Sequence, residues 1–383
     1  MQEIITIKNI LHARENGISR ISAEVAGEVL WFESGDIELQ SSAEGFVSAL
    51  LVSALRKKTN IVIDGVVDKT WLSNVHGAMK QFGKWWGHRR ISISAMQGKA
   101  SRGEKGQKTA LCFSGGVDSF HILLCCAQPI DYLVFIHGYD IPLGDTVRLN
   151  AYLPCLKAIA EKTGARLIII RTNIREHNFF RAVSWLRSYG CALAAISHFM
   201  TDVGKFIIAA SYPYNYSTAS GSHWKTDPLF SSSYVDIIHG GAWAGRNEKI
   251  RSIADEPLAR KYLRVCWEHR NESINCCQCE KCIRTMLSLE QCKKLCFFET
   301  FPLKDNLLQY LQELPRLEEH LIPIYNRLFV WQRGLDPVLE KAIYALLRRS
   351  HKGPEVLRYY MDRIIEYYKR RGNAFEKKEV ILQ

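Results

Sequence analysis

One seven-residue stretch limits the fold of this chain more than any other: Phe113-Ser114-Gly115-Gly116-Val117-Asp118-Ser119. It follows the apolar, strand-like run Ala110-Leu111-Cys112-Phe113 and leads into residues 119–127, whose apolar spacing is helical. Strand, glycine turn and helix in that order form a βα unit. The two glycines let successive backbone N–H groups turn toward one point. The start of the helix adds its partial positive charge. Such a turn is built for an anion, and phosphate is the anion it suits. Ser114 and Ser119 can donate hydroxyl hydrogen bonds to phosphate oxygens. Asp118 would repel a phosphate, so its expected role is to hold Mg²⁺ bridging the phosphates. The stretch lacks the Gly-Lys-Ser/Thr ending of a kinase-type loop, so transfer of a γ-phosphate is not expected.

The surrounding pattern fits the same unit. Between residues 108 and 300 strands and helices alternate. Strands are expected at 109–113, 132–137, 166–171 and 205–210, and helices at 119–127, 145–163 and 189–201. Strands that are apolar throughout are buried on both faces, which predicts an α/β fold, a doubly wound parallel sheet with helices on each side. Residues 1–107 read as an N-terminal α+β domain. Its strands fall at 4–7, 18–25, 29–32, 60–63 and 90–94, its helices at 43–56 and 69–86, and a polar linker at 97–108. Residues 301–383 read as a basic helical region; from Lys341 to Gln383 there are eleven Lys or Arg against five Asp or Glu.

The first residues lack the uninterrupted apolar core of a signal peptide, and no stretch is apolar over the ~18 residues that a membrane span needs. A cytoplasmic protein without membrane association is therefore expected. The net charge of +12 suits RNA, a polyanionic nucleotide or an acidic protein partner.

In that setting twelve cysteines are read as reduced thiols that bind metal where they cluster. Cys276, Cys279 and Cys282 form a C-x₂-C-x₂-C run, and Cys266 lies ten residues before it. Four thiolates suit a closed, tetrahedral, structural Zn²⁺ site; an iron–sulfur cluster is the alternative. Cys277 is expected to point elsewhere. Cys112 sits in the strand and is not expected to act as a nucleophile.

Ser-Gly-Gly-x-Asp-Ser after the first strand of such a domain resembles the signature of N-type ATP pyrophosphatases, which split ATP between its α and β phosphates. Combined with the later Cys…Cys-x₂-Cys-x₂-Cys set, it resembles the 7-cyano-7-deazaguanine synthase (QueC) family over residues 108–300. The resemblance implies an adenine nucleotide α-hydrolase-like fold, with zinc on Cys266, Cys276, Cys279 and Cys282. It also implies ATP with Mg²⁺ on Ser114, Gly115, Gly116, Asp118 and Ser119. Asp227, in the segment 225–230, falls where the family has an acidic loop near substrate. Arg246-Asn247-Glu248 falls where the family has Lys-x-Glu, giving Glu248 a substrate role and Arg246 or Lys225 a charge-offsetting one. His137, ending the second strand, is placed beside the adenine.

The chain is longer than a free-standing family member at both ends. That resembles the enlarged QueC-like proteins of bacterial antiviral operons of the CBASS and Qat kinds. The expected chemistry is adenylation of a carboxylate, 7-carboxy-7-deazaguanine or a relative, followed by transfer to ammonia or an amine, including one on a partner protein. A homodimer is compatible with this reading. Two others compete. One is tRNA base modification, for which the basic charge, Trp85-Trp86 and Tyr367-Tyr368-Lys369-Arg370-Arg371 speak. The other is a nucleotide-binding sensor without turnover.

Overall fold

The computed structural model describes residues 3–97, 105–125, 129–216 and 218–350. The N-terminal strands β1 (Ile4–Glu15), β2 (Ile18–Val25) and β3 (Glu28–Ser34) form an antiparallel meander. Its first turn is Asn16-Gly17, with φ of 50° and 81°. Two positive φ values in a two-residue hairpin match the right-handed twist of the strands they join. Helix α1 (Ala43–Lys57) and strand β4 (Asn60–Val67) follow, then α2 (Lys69–Trp86) and β5 (Ile93–Gln97). β4 returns parallel to β1, and β5 parallel to β4. Strands β1 and β4 extend beyond the short apolar runs expected from sequence, and β5 lies three residues later than the strand expected at 90–94.

The next strands are β6 (Lys108–Cys112), β7 (Tyr132–His137) and β8 (Arg166–Thr172), separated by α3 (Val117–Cys125) and α4 (Thr146–Thr163). Then come α5 (Trp185–Ser197), β9 (Val203–Ala209), β10 (Asp236–Gly240) and α6 (Arg246–Ile253). β6 to β10 are all parallel, in the spatial order β10-β9-β6-β7-β8. The chain moves outward from β6 to β8, then returns to the other flank of β6 to lay down β9 and β10. The carboxyl ends of β6 and β9 therefore lie side by side where the path reverses.

Alternate side chains of these strands feed two faces. On one, Phe113 meets Phe120 of α3 at 5.2 Å between ring centres, and Phe135 meets Tyr152 of α4 at 6.2 Å. On the other, Val134, Ile136, Ile168, Ile170, Phe206 and Ile208 share one core with α1 and α5. β7 is buried along its whole length, which is why it is the most continuously apolar of them.

The N-terminal strands join this parallel set in a single ten-stranded, mixed and mostly parallel sheet. The joint is a short antiparallel ladder between β3 and β8, Phe32 opposite Thr172 and Glu33 opposite Arg171. Side chains extend it. Ser34 Oγ donates to Ile169 O at 2.8 Å, and Ile169 N–H donates to Asp36 Oδ2 at 2.7 Å. Asn173 accepts from Trp31 N–H at 3.0 Å and donates to Val29 O at 2.8 Å. Phe199 closes the core across the joint, 4.7 Å from the Phe32 ring and 5.2 Å from Phe46.

The chain forms two compact units. One holds Met1–Ile253 with Tyr262–Arg264; the other takes up Ala254–Lys261 and the chain from Val265 onward. Strands β1 to β5 thus share a sheet, and a unit, with β6 to β10. The second unit carries a buried four-cysteine cluster and the helices α8 (Glu280–Gln291), α9 (Leu307–Glu313), α10 (Ile322–Gln332) and α11 (Pro337–Ser350). A short α7 (Pro257–Tyr262) precedes them. The basic stretch read over 341–383 is described only to Ser350, and Tyr367 to Arg371 lie outside the described residues. Among the described residues no helix is long and apolar enough to cross a membrane.

α5 begins and ends four residues before the helix expected at 189–201. Phe199 and Met200 are core residues, as their apolarity suggests, but they lie past the helix end: Met200 bridges to Leu39, and Phe199 abuts α1. A Cβ at Gly45 of α1 would fall 2.3 Å from the Phe199 ring. Alanine is favoured over glycine in a helix by about 1 kcal/mol, whereas overpacking a filled core costs about 1–3 kcal/mol. Gly45→Ala should therefore lower stability in urea unfolding despite its better helix propensity, and Gly45→Ala with Phe199→Leu should recover part of the loss.

Candidate functional site

The glycine turn lies at the carboxyl end of β6, where the sheet's path reverses. Gly115 has φ +78°, and a Cβ there would fall 1.8 Å from Tyr152 Oη, so both backbone and space require glycine. Gly116 O accepts the first helical hydrogen bond of α3, from Phe120 N–H at 2.9 Å, and also the Ser119 hydroxyl at 3.0 Å. The N–H groups at 117–119 then have no partner within the helix. N–H groups so placed at a helix start can hold an anion. Ser114 is half-buried beside it, while the Ser119 hydroxyl is engaged within the turn.

Asp118 stands in the first turn of α3 and is held from α6. Lys249 Nζ lies 3.1 Å from Oδ1, and Arg246 Nη1 lies 3.4 Å from Oδ2. Arg246 and Lys249 are three residues apart on α6, so both project from one face. Lys249 is fully buried, and its Nζ also donates to Ala210 O, just past the end of β9. A buried ammonium needs such partners to replace its lost hydration. The α3–α6 pair thus brings one carboxylate and two cations to the crevice between β6 and β9.

His121, one turn beyond Asp118 on α3, is buried and hydrogen-bonded through Nδ1 to Ser252 Oγ at 2.7 Å. Ser252 Oγ donates its own proton to Lys249 O. Nδ1 therefore carries the hydrogen. Burial, then the Lys249 charge, lowers its pKa and favours the neutral ring.

Of the residues read from sequence, the loop and Arg246 meet at Asp118; the others lie apart from it. His137 is fully buried, and its Nε2 bonds Pro142 O at 3.0 Å, closing the turn after β7. Burial lowers its pKa. Lys225 is exposed, its Nζ 5.0 Å over the Trp224 ring. Glu248 is on the exposed side of α6. Asp227 is fully buried and takes three hydrogen bonds: Ser222 Oγ at 2.6 Å, His223 N–H at 3.0 Å and His239 Nδ1 at 2.7 Å. Those bonds make Asp227 an organiser of the loop, tying residues 222–223 to β10. Lys249 was missed by the sequence reading; its only signal was its place three residues after Arg246.

The second feature is the cysteine cluster. The Sγ atoms of Cys266, Cys276, Cys279 and Cys282 lie within 4.8 Å of one another, all buried. Cys266 and Cys279 are 3.9 Å apart, and Cys276 and Cys282 4.0 Å. A tetrahedron with Zn–S bonds of about 2.3 Å has edges of about 3.8 Å, so the cluster is consistent with a structural zinc. Cys282 lies in the first turn of α8, whose start favours negative charge. N–H groups of His269 and Cys279 point at Cys266 and Cys276 sulfur, at 3.4 and 3.3 Å. Asn275 fixes the first ligand by accepting from Val265 N–H and Cys266 N–H. Hydrogen bonds from the other three thiols lower the pKa of Cys266. Cys277, in a left-handed backbone conformation (φ 63°), turns its sulfur to Asn275 O, and burial pushes its thiol up to about 11. It stands outside the cluster.

The purified chain should be colourless and hold one zinc by elemental analysis. Cys266→Ser, Cys276→Ser, Cys279→Ser and Cys282→Ser should each lose metal and lower the thermal midpoint, since a structural zinc contributes about 10–16 kcal/mol to folding. Cys277→Ser should keep the metal. Comparison of the chain with protein-family models, curated proteins and solved structures finds no match.

Proposed function

We propose that the chain is an ATP pyrophosphatase that activates a carboxylate as an acyl-adenylate and passes the acyl group to ammonia or an amine. The observation carrying this reading is the position of Asp118. It sits in the first turn of the helix behind a glycine anion cradle, between the cations of α6, at the crevice where β6 and β9 part. Open α/β sheets bind nucleotides at such reversals. In this reading the parallel strands are a doubly wound, adenine nucleotide α-hydrolase-like domain.

The substrate carboxylate oxygen attacks the α-phosphorus of ATP. The bond to the β-phosphate oxygen breaks, pyrophosphate leaves, and the carboxylate carries AMP. The N–H groups of the turn and Ser114 hold the departing pyrophosphate. Arg246 and Lys249 offset the charge that builds between the α and β phosphates. The nitrogen of ammonia or an amine then attacks the acyl carbon. AMP leaves and one proton is released, with no protein nucleophile needed. Cys112, whose thiol pKa burial raises, is poorly suited to be one. Mg²⁺ would neutralise phosphate charge. Asp118 is the carboxylate to meet it, and because that carboxylate is shared by two cations, the phosphates would supply most of the ligands.

The family resemblance supports 7-carboxy-7-deazaguanine or a relative as the carboxylate, and an antiviral setting with a protein acceptor. With α-labelled ATP, 7-carboxy-7-deazaguanine should release AMP and pyrophosphate, not ADP. Asp118→Asn should lower kcat/KM about 10²- to 10³-fold with the zinc content unchanged. ADP as the product would refute α–β cleavage. AMP formed only with tRNA would move the chemistry to an RNA base, and ATP binding without any product would leave a sensor.

A further inference from the structure

We propose that Arg264 is a diphosphate ligand beside the glycine turn, one that no sequence motif marks; this deepens the reading of the turn as a nucleotide phosphate site. Arg264 is 3% exposed. Its backbone N–H donates to Gly115 O at 2.8 Å, which registers the residue onto the turn. Its guanidinium carbon lies 5.6 Å from the Tyr152 ring centre, the same tyrosine whose hydroxyl crowds Gly115. Nη1 reaches Ser114 O only at 3.5 Å, and Nη2 is buried without a hydrogen-bond partner. Among the described residues no carboxylate forms an ion pair with it.

Arginine cannot relieve this state by losing its proton. A buried, unpaired charge is among the most costly arrangements a fold can keep. Lys249 is equally buried, but has Asp118 and a backbone carbonyl. For Arg264 the missing partner is an anion that arrives at the turn. The planar guanidinium fork matches adjacent phosphate oxygens and offers two parallel donors. A diphosphate carries the charge and the oxygens to meet both Arg264 and the N–H groups of the turn; AMP, lacking the β and γ phosphates, does not need Arg264.

The test is calorimetric binding of inorganic pyrophosphate and of AMP, at fixed ionic strength, to the zinc-loaded full chain and to Arg264→Met and Arg264→Lys. Loss of a hydrogen-bonded charged partner should weaken pyrophosphate about tenfold to a hundredfold in Arg264→Met, with AMP affinity within about twofold and Arg264→Lys in between. A purely bracing arginine would weaken both ligands alike when removed; that result, or unchanged pyrophosphate affinity, overturns the proposal. If Arg264→Met does not fold, Arg264→Lys carries the same comparison. Wild-type protein that binds neither pyrophosphate nor ATP sinks the phosphate-site reading and this proposal together. Wild-type binding with an unaffected Arg264→Met sinks this proposal alone.

Discussion

The Asp118 carboxylate is held by cations 128 and 131 residues further along the chain, and the arrangement of the crevice follows from that long-range pairing. Two exposed charges at such spacing would contribute little. Here Lys249 is excluded from water, so the pair is a condition of burial, not a surface ornament. Breaking a buried pair by removing one partner costs about 3–5 kcal/mol. The pairing therefore fixes α6 against α3, sets Arg246 beside the same carboxylate and gives Ala210 O, beyond the end of β9, a donor.

How much of this was legible in the sequence depends on whether the signal was local. The strands of residues 109–137 were readable because burial on both faces leaves a continuous apolar run. The turn was readable because Gly115 must take a positive φ against Tyr152, and no other residue type can. The cysteine set was readable because metal geometry imposes a spacing. The β3–β8 joint was not, since Asn173, Ser34 and Asp36 are ordinary loop residues until β8 is beside them. Lys249 and Arg264 were not, since a basic residue in a polar segment usually faces water. Asp227 shows the converse. The family resemblance implied a place near substrate, and its burial and three donors, one from β10, are contacts that only the tertiary structure reveals.

Buried charge also sets the demands on whatever the crevice binds. Lys249 is neutralised by Asp118 in the structure described. Arg264, hydrogen-bonded to the same turn through its backbone, has no carboxylate partner among the described residues. A fold can keep a desolvated guanidinium in that state only if packing elsewhere offsets its cost, and that cost is returned when an anion arrives. The ligand that recovers most of it carries several negative charges on adjacent oxygens. A single carboxylate would satisfy Arg264 and leave the N–H groups of the turn unmet. In the proposed reading, a phosphate chain would meet the turn and Arg264 at once, with Arg246 and Lys249 facing the charge that develops where the chain is cut. Under that proposal, selectivity for a polyphosphate over a simple acid would follow from where the cations are buried, not from their number on the surface, and the net charge of +12 would add only long-range attraction that salt screens.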